Sequence, residues 1–572
     1  MIKEFFTQRI KRGLVRRLNN LKIASVAREV ARQEPQPNGA PVVFFKASTG
    51  IDDLSWNSGF HLLASWAFRL QGIPVVYFAC NAGMSKCVLG TNRDDPHKEM
   101  PCRSCVYQSR TLYTGANPHW FTFERDKEVE HALQDLGVPE LMKFQWQLKN
   151  QPVIARSHEV ATTLAPDANA GEQSPTHEEI ASPFGLAMTI PLGALCLPGL
   201  RWILRVHHLQ DDESTRYLLR EYALSAWNVA QKFSKLLDET NPRAVIVFNG
   251  QFFPEATARY IALKRGIRVI THEVGLQPAS AFFTDGEATA YPIHIPDSFE
   301  MNAEQNVKLD AYLAKRFQGD FTMAGIKFWA DMKGLDESFL KKAAGFKQIV
   351  PVFTNVIFDT SQPHANTVFE DMFNWLDMVL EIIKEYPDTL FVIRAHPDEL
   401  RVRKASRETV EGWVEAHGVT DLPNVVFVSP RETLSSYELI LKSKFVMVYN
   451  STIGLEASIM GAPVLCAGKA RFTQYPTVFF PQTIEDVRRK MKEFLAADAI
   501  DVPLEFKRNA RRFLYYQLFR TSLPFGDFLE PSVRTTQTRL KSFRMNELIE
   551  SDSVKAVLNG VLNGGDFLLK EK

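Results

Sequence analysis

Residues 445–467 read FVMVYNSTIGLEASIMGAPVLCA, and the order of residue types in this stretch decides the fold. Phe445 to Tyr449 is a short apolar run of strand character. Asn450, Ser451 and Thr452 follow it, Gly454 to Met460 reads as a helix, and Pro463 to Ala467 reads as the next strand. Strand, polar turn, helix, strand is the repeating unit of an open parallel sheet covered by helices.

The same alternation extends outward. Gln348 to Phe358 is strand-like, and Val368 to Tyr386 has apolar residues at helical spacing. Leu390 to Ala395 is a strand, a helix is expected from about Lys404 to His417, and Asn424 to Val428 is a strand followed by a helix over Ser435 to Lys442. The first half repeats this with longer insertions. It has strands at Val42 to Phe45, Pro74 to Ala79, Ala244 to Phe248 and Ile267 to Thr271. Helices are expected at about Phe60 to Leu70, Arg216 to Leu237 and Pro254 to Arg265. The predicted fold class is α/β, with two doubly wound, Rossmann-like lobes facing a central cleft. Ligands of such sheets bind outside the carboxyl ends of the strands, so residues just after strands are the ones to inspect.

A chain of 572 residues exceeds one core, and its 45% hydrophobic and 23% charged content is that of a globular protein. The boundaries expected are a basic segment at 1–33, a first Rossmann-like lobe at 34–340 with a cysteine-containing insertion at 80–105, a second Rossmann-like lobe at 341–500, and a helical segment at 501–572 packing back across both. Residues 1–33 hold nine Lys or Arg against Glu4 and Glu29, a charge of +7, so the remainder carries −6 of the net +1. A weakly acidic body argues against a nucleic-acid partner. Phe6, Ile10, Leu14 and Leu18 form an i, i+4 stripe on the basic segment, suited either to an anionic membrane surface or to packing on the protein itself. No apolar core of a signal peptide follows the first charges, which predicts a cytoplasmic protein, peripheral on the inner membrane face if the stripe binds lipid. Phe184 to Leu204 is apolar but interrupted by Pro191, Gly193, Pro198 and Gly199, and is expected to be a buried or cleft-lining loop rather than a spanning helix. Ala161 to Pro183 is aperiodic and reads as a surface loop.

Three constellations carry chemistry. Arg394, His396 and Pro397 follow the hydrophobic run Leu390 to Ile393; a guanidinium fork and an imidazole suit a phosphate, although such a histidine can also simply bond its own turn. Asn450, Ser451 and Thr452 open a helix, where hydroxyls and unpaired amides make an anion site; Gly454 would let backbone approach a ligand, and Glu456 could bridge two ribose hydroxyls. An ordinary capped helix would show the same residues. Cys80, Cys87, Cys102 and Cys105 fall within 26 residues, the last two as Cys-x-x-Cys. They could hold structural zinc or an iron–sulfur cluster, or be unligated thiols.

The run from Thr354 to Gly468, with TNVIFDTS, FNWL, RAHPDE, SSYELI, YNSTIGLEA and GAPVLCAG, resembles the bacterial capsule polysaccharide biosynthesis family of glycosyltransferases with the GT-B fold. The resemblance implies transfer of a sugar from a CMP- or UDP-linked donor to a glycan or lipid-linked glycan acceptor, with no cofactor needed for the chemistry. His-Pro and Ser-Ser/Thr pairs are also donor-phosphate signatures of bacterial sialyltransferases and Kdo transferases, which implies that His396, Ser451 and Thr452 touch the donor phosphate. Lys469-Ala470-Arg471-Phe472 departs from the aromatic turn expected after Gly468. In the first lobe, Phe248-Asn249-Gly250 and Thr271-His272-Glu273-Val274-Gly275 resemble the acceptor-side motifs, with Glu273 the first candidate for the base and His272 the second. A 2-epimerase or hydrolase of the same fold, or a non-catalytic assembly scaffold, would share most of these features.

Overall fold

The computed structural model describes residues 2–47, 50–51, 53–148, 188–318, 322–323, 326–327, 333–401 and 405–571, with residues 2–9, 322–323 and 326–327 described by backbone alone. Twelve strands build its two main sheets: β1 Val42–Lys46, β2 Val75–Cys80, β3 His119–Phe121, β4 Ala244–Phe248, β5 Arg268–Val274, β6 Ser280–Thr284, β7 Gln348–Phe353, β8 Thr389–Arg394, β9 Val425–Val428, β10 Val446–Val448, β11 Val464–Cys466 and β12 Leu523–Pro524. The first sheet runs β12-β6-β5-β4-β1-β2-β3 and the second β9-β8-β7-β10-β11.

Alternation along each strand sends side chains to opposite faces, and both faces are covered. Val43 and Phe45 of β1 pack with Phe78 and Phe233, whereas Val42 and Phe44 pack with Phe60 and Phe68 on the other side. In β8, Leu390 and Val392 join one core and Phe391 and Ile393 another. Every residue of β1 and β8 is buried, so neither strand could be shifted by one residue without exchanging its two cores.

The second sheet is wholly parallel. The first departs from the expected parallel lobe: β6 pairs antiparallel with β5, and β12 antiparallel with β6. The last of these strands comes from the far end of the chain, so residues after 501 complete the first sheet, and Leu529–Pro531 and Thr538–Leu540 form a hairpin where helix alone was expected.

Several other expectations are corrected. The apolar stretch read as a loop contains the strand Met188–Ile190 and the helix Leu192–Leu204, which carries Pro198 inside it and buries Leu192, Cys196 and Leu200 in the first-lobe core. Burial of one apolar stripe outweighs the hydrogen bond that a proline removes. No described helix is long and apolar enough to cross a membrane. The helix expected from Lys404 is shorter, Val410–Ala416, started by Thr409. The loop Ala161 to Pro183 and the side chain of Phe6 in the basic stripe lie outside what is described.

The basic segment is a helix, Ile2–Gln33. Its second half is structural: Ile23, Ala27 and Val30 are fully buried, and Asn19 donates to Asp53 Oδ1 at 3.3 Å while its Oδ1 accepts from the Leu540 amide at 3.0 Å. Ile10, Leu14, Leu18 and Leu21 are instead 57–70% exposed.

Candidate functional site

In each sheet the strand order reverses at one place, where the loops after two neighbouring strands diverge and leave a crevice. In the second sheet this place lies between β7 and β10, because the chain proceeds outward through β8 and β9 and then returns to the other side of β7. In the first sheet it lies between β1 and β4. The loops after β7 and β10 carry Thr354, Asn355, Asn450 and Ser451; those after β1 and β4 carry Ala47, Asn249 and Gly250.

The carboxyl edges of the two sheets meet. Gln251, just past β4, places its Nε2 3.2 Å from Nε2 of His364 in the segment after β7, and the same imidazole nitrogen lies 2.9 Å from Thr289 Oγ1 and 3.1 Å from Glu287 Oε2. A cavity of ≈ 490 Å³ sits here, walled by Gln251, Arg259 and Glu287 of the first lobe and by Pro363 and His364 of the second. A second bridge joins the lobes through His208, whose Nε2 is 3.0 Å from Asp371 Oδ2 and whose Nδ1 pairs with Glu408.

On the second lobe, His396 follows β8, and its Nδ1 accepts from the Asp398 amide at 3.1 Å. That bond places the imidazole proton on Nε2. Burial holds His396 below the ordinary histidine range, so at neutral pH it is an uncharged donor. Asn450 donates its amide to Asn355 Oδ1 at 3.3 Å and accepts from Gln362 Nε2 at 3.3 Å, which ties the β7 and β10 loops together. Thr452 is exposed and its side chain makes no cap bond to the helix Ile453–Met460. Ser451 is buried beside it.

Three of the expected donor contacts have other duties. Glu456 is buried and each of its oxygens already has a protein partner, one Arg316 and the other the Tyr437 hydroxyl at 2.6 Å, so its carboxylate is engaged within the fold. Burial and the Glu456 charge push the tyrosine up, keeping it a donor. A Cβ on Gly454 would stand 2.9 Å from Val448 and 3.1 Å from Phe472, so this glycine permits close packing of helix on strand β10 rather than approach to a ligand. Arg394 is buried within β8 and donates to the Leu434 carbonyl, which fixes its guanidinium to the protein.

On the first lobe, Glu273 and His272 part ways because neighbours along β5 face opposite sides. Glu273 is partly exposed; its Oε1 accepts from Asn57 Nδ2 at 2.7 Å and from the Val274 amide at 2.9 Å, and its Oε2 accepts from Asn249 Nδ2 at 3.1 Å. His272 is completely buried, with its Nε2 3.0 Å from His61 Nδ1, and desolvation drives its pKa down to about 3. A group so buried and so weakly basic cannot take a proton from an acceptor, which removes it as the second candidate base.

Two further residues belong to this edge. Lys46, the last residue of β1, is buried with its Nζ 4.6 Å from the centre of the Phe248 ring, and burial lowers its pKa against the pull of Glu255 and Glu273. Burial pushes Glu255 up to about 7. A lysine closing an apolar strand was a legible signal, since the strand end is where ligands bind; nothing in the run around Glu255 marks it. Cys80, Cys87, Cys102 and Cys105 all line one further cavity. They are not remote from the strand ends, because Cys80 is the last residue of β2. Burial pushes the Cys80 thiol up to about 12, the opposite of a reactive cysteine.

Residues 326–478, which include all of β7 to β11, match the family described as "Capsule polysaccharide biosynthesis protein". The match covers the second sheet and none of the first. Protein FixF of Sinorhizobium fredii (strain NBRC 101917 / NGR234) is 25% identical over 309 residues, 53% of this chain and 65% of that protein, so the match spans just under two thirds of its relative's length. Among solved structures, the beta Kdo 2,4 transferase of Thermosulfurimonas dismutans KpsC is 12% identical with a TM-score of 0.33, over 54% of this chain and 87% of that one. The UDP-GlcNAc 2-epimerase of Neisseria meningitidis is 16% identical with a TM-score of 0.23, over 50% of this chain and 76% of its own. Likenesses this distant fix neither substrate nor reaction. The part of the chain that matches the capsule biosynthesis family holds the whole second sheet, with His396, Asn450, Ser451 and Thr452 at its carboxyl edge.

Proposed function

We propose that the chain is a glycosyltransferase that moves a sugar from a CMP- or UDP-linked donor onto a growing capsular or other surface polysaccharide. One observation supports this reading: the crevices of two doubly wound sheets face each other, with anion-type donors on the capsule-family side and a partly exposed, three-fold anchored carboxylate on the other. The Nε2–H of His396 and the uncapped start of the helix Ile453–Met460 would meet the leaving phosphate, stabilising its charge without requiring a cation. Glu273 would take the proton of the acceptor hydroxyl, its geometry held by Asn57 and Asn249. Contact with an anionic membrane, where lipid-linked acceptors reside, belongs to the same reading and is supported by the exposed Ile10, Leu14 and Leu18 beside Lys11, Arg12, Arg16 and Arg17.

A thermal-shift series with CMP, CDP, UDP and GDP tests the donor assignment, since a ligand at 100 times its Kd stabilises by ~2.7 kcal/mol. No shift with any of the four would overturn it. Turnover of the cognate nucleotide sugar without any acceptor would replace transfer by epimerisation or hydrolysis.

A further inference from the structure

Four cysteines from three places in the chain converge on one cavity. Cys80 ends β2, Cys87 lies in the turn that follows, and Cys102 and Cys105 occupy the first turn of the helix Cys102–Leu112, where i, i+3 spacing puts both on one face. Apart from the four sulfurs the cavity wall is apolar, including Ala47, Ile51, Met84, Leu89, Met100 and Val106. The Gly83 amide donates to Cys80 Sγ at 3.0 Å and the Gly90 amide to Cys87 Sγ at 3.3 Å. Backbone donors to sulfur and the positive end of a helix both favour bound thiolates over thiols.

The spacing distinguishes the metals. Four sulfurs around one zinc at ~2.3 Å stand about 3.8 Å from one another. Among the described residues only His207, His208 and Asp371 bring three ligand atoms within 4.8 Å, so no three of these sulfurs are that close. Four cysteines spread around a central apolar space match a multi-iron cluster, whose sulfur ligands sit at its outer corners.

We propose that Cys80, Cys87, Cys102 and Cys105 ligate a four-iron, four-sulfide cluster. Each thiol gives up its proton and bonds one iron. The cluster pins the segment 80–105 against the carboxyl edge of the first sheet, since Ala47, which follows Lys46 at the β1–β4 crevice, forms part of the cavity wall. This inference is independent of the transferase reading.

The test is metal and acid-labile sulfide analysis of full-length protein purified without oxygen, and again after anaerobic reconstitution with ferric iron, sulfide and a thiol as reductant, followed by desalting. About four irons and four sulfides per chain are expected, with a broad visible absorption that bleaches on dithionite reduction. Cys102→Ser combined with Cys105→Ser should bring retained iron to background, whereas Cys196→Ser, at a buried thiol outside the cavity, should leave it unchanged. One zinc without sulfide, two irons with two sulfides, or no metal retained after reconstitution would each overturn the proposal on the wild-type protein alone, whether or not the double variant folds.

Discussion

Asn57 Nδ2 donates to Glu273 Oε1 across 2.7 Å, joining the first turn of the helix Trp56–Leu70 to the end of strand β5. With Asn249 on the other oxygen, the carboxylate is clamped by two amides from two elements, and a face of it is left partly open to solvent. A carboxylate oriented in this way is prepared for a proton transfer at low entropic cost.

Glu273→Gln should therefore lower transfer by ~100-fold or more while nucleotide affinity stays nearly constant. Asn57→Ala should give a smaller loss of kcat, since it releases the orientation but keeps the base. Calorimetric titration with the nucleotide and a transfer assay on each variant separate the two; equal loss of affinity in Glu273→Gln would move this residue to the donor side.

His396→Ala removes a donor to a charged group, typically worth ~1.5–3 kcal/mol, so nucleotide Kd should rise at least tenfold with the fold intact. Because burial holds His396 below the ordinary histidine range, affinity should not fall on its account as pH rises from about 7 to 8. A steep loss of binding over that range, absent from His396→Ala, would contradict the neutral assignment.

Glu456→Gln should behave in the opposite way. It leaves Arg316 buried against an uncharged partner, and breaking a buried pair costs ~3–5 kcal/mol of stability. Gly454→Ala should also destabilise, by ~1–3 kcal/mol, as its methyl meets Val448 and Phe472. Denaturant unfolding measures both; full stability with weakened nucleotide binding would restore Glu456 to the donor site.

The His208 bridge predicts a pH dependence. Burial opposes the charged imidazole, but its bonds to Glu408 and Asp371 outweigh that and raise its pKa above the ordinary value of 6.5. Stability from a raised histidine is fully present below the unfolded pKa and is lost as pH rises through the folded one. The thermal midpoint should thus fall as pH rises above about 6.5, and His208→Gln should flatten this slope. An unchanged slope in the variant would show that other groups set it.

Deleting residues 1–33 should unfold the protein, because Ile23, Ala27 and Val30 are core residues. Replacing Ile10, Leu14 and Leu18 by Ser should instead keep the fold and weaken sedimentation with anionic vesicles. Retained vesicle binding in that triple variant would exclude the stripe as the contact.

The sequence by itself determined the α/β class, the strands of the second sheet and the residues that follow them, because apolar period and strand-ending turns are local properties that no partner has to supply. It also named the four cysteines and Glu273. Only the tertiary structure decided what those residues face. It turned His272 into the core and Glu273 toward the crevice, one residue apart on β5; it gave Glu456 to Arg316, 140 positions away; and it made a helix of a proline-bearing apolar run by burying one side of it. It also drew β12 from the far end of the chain to finish the first sheet. Such outcomes depend on which distant side chain arrives to satisfy a charge or fill a face, and local patterning carries no record of that.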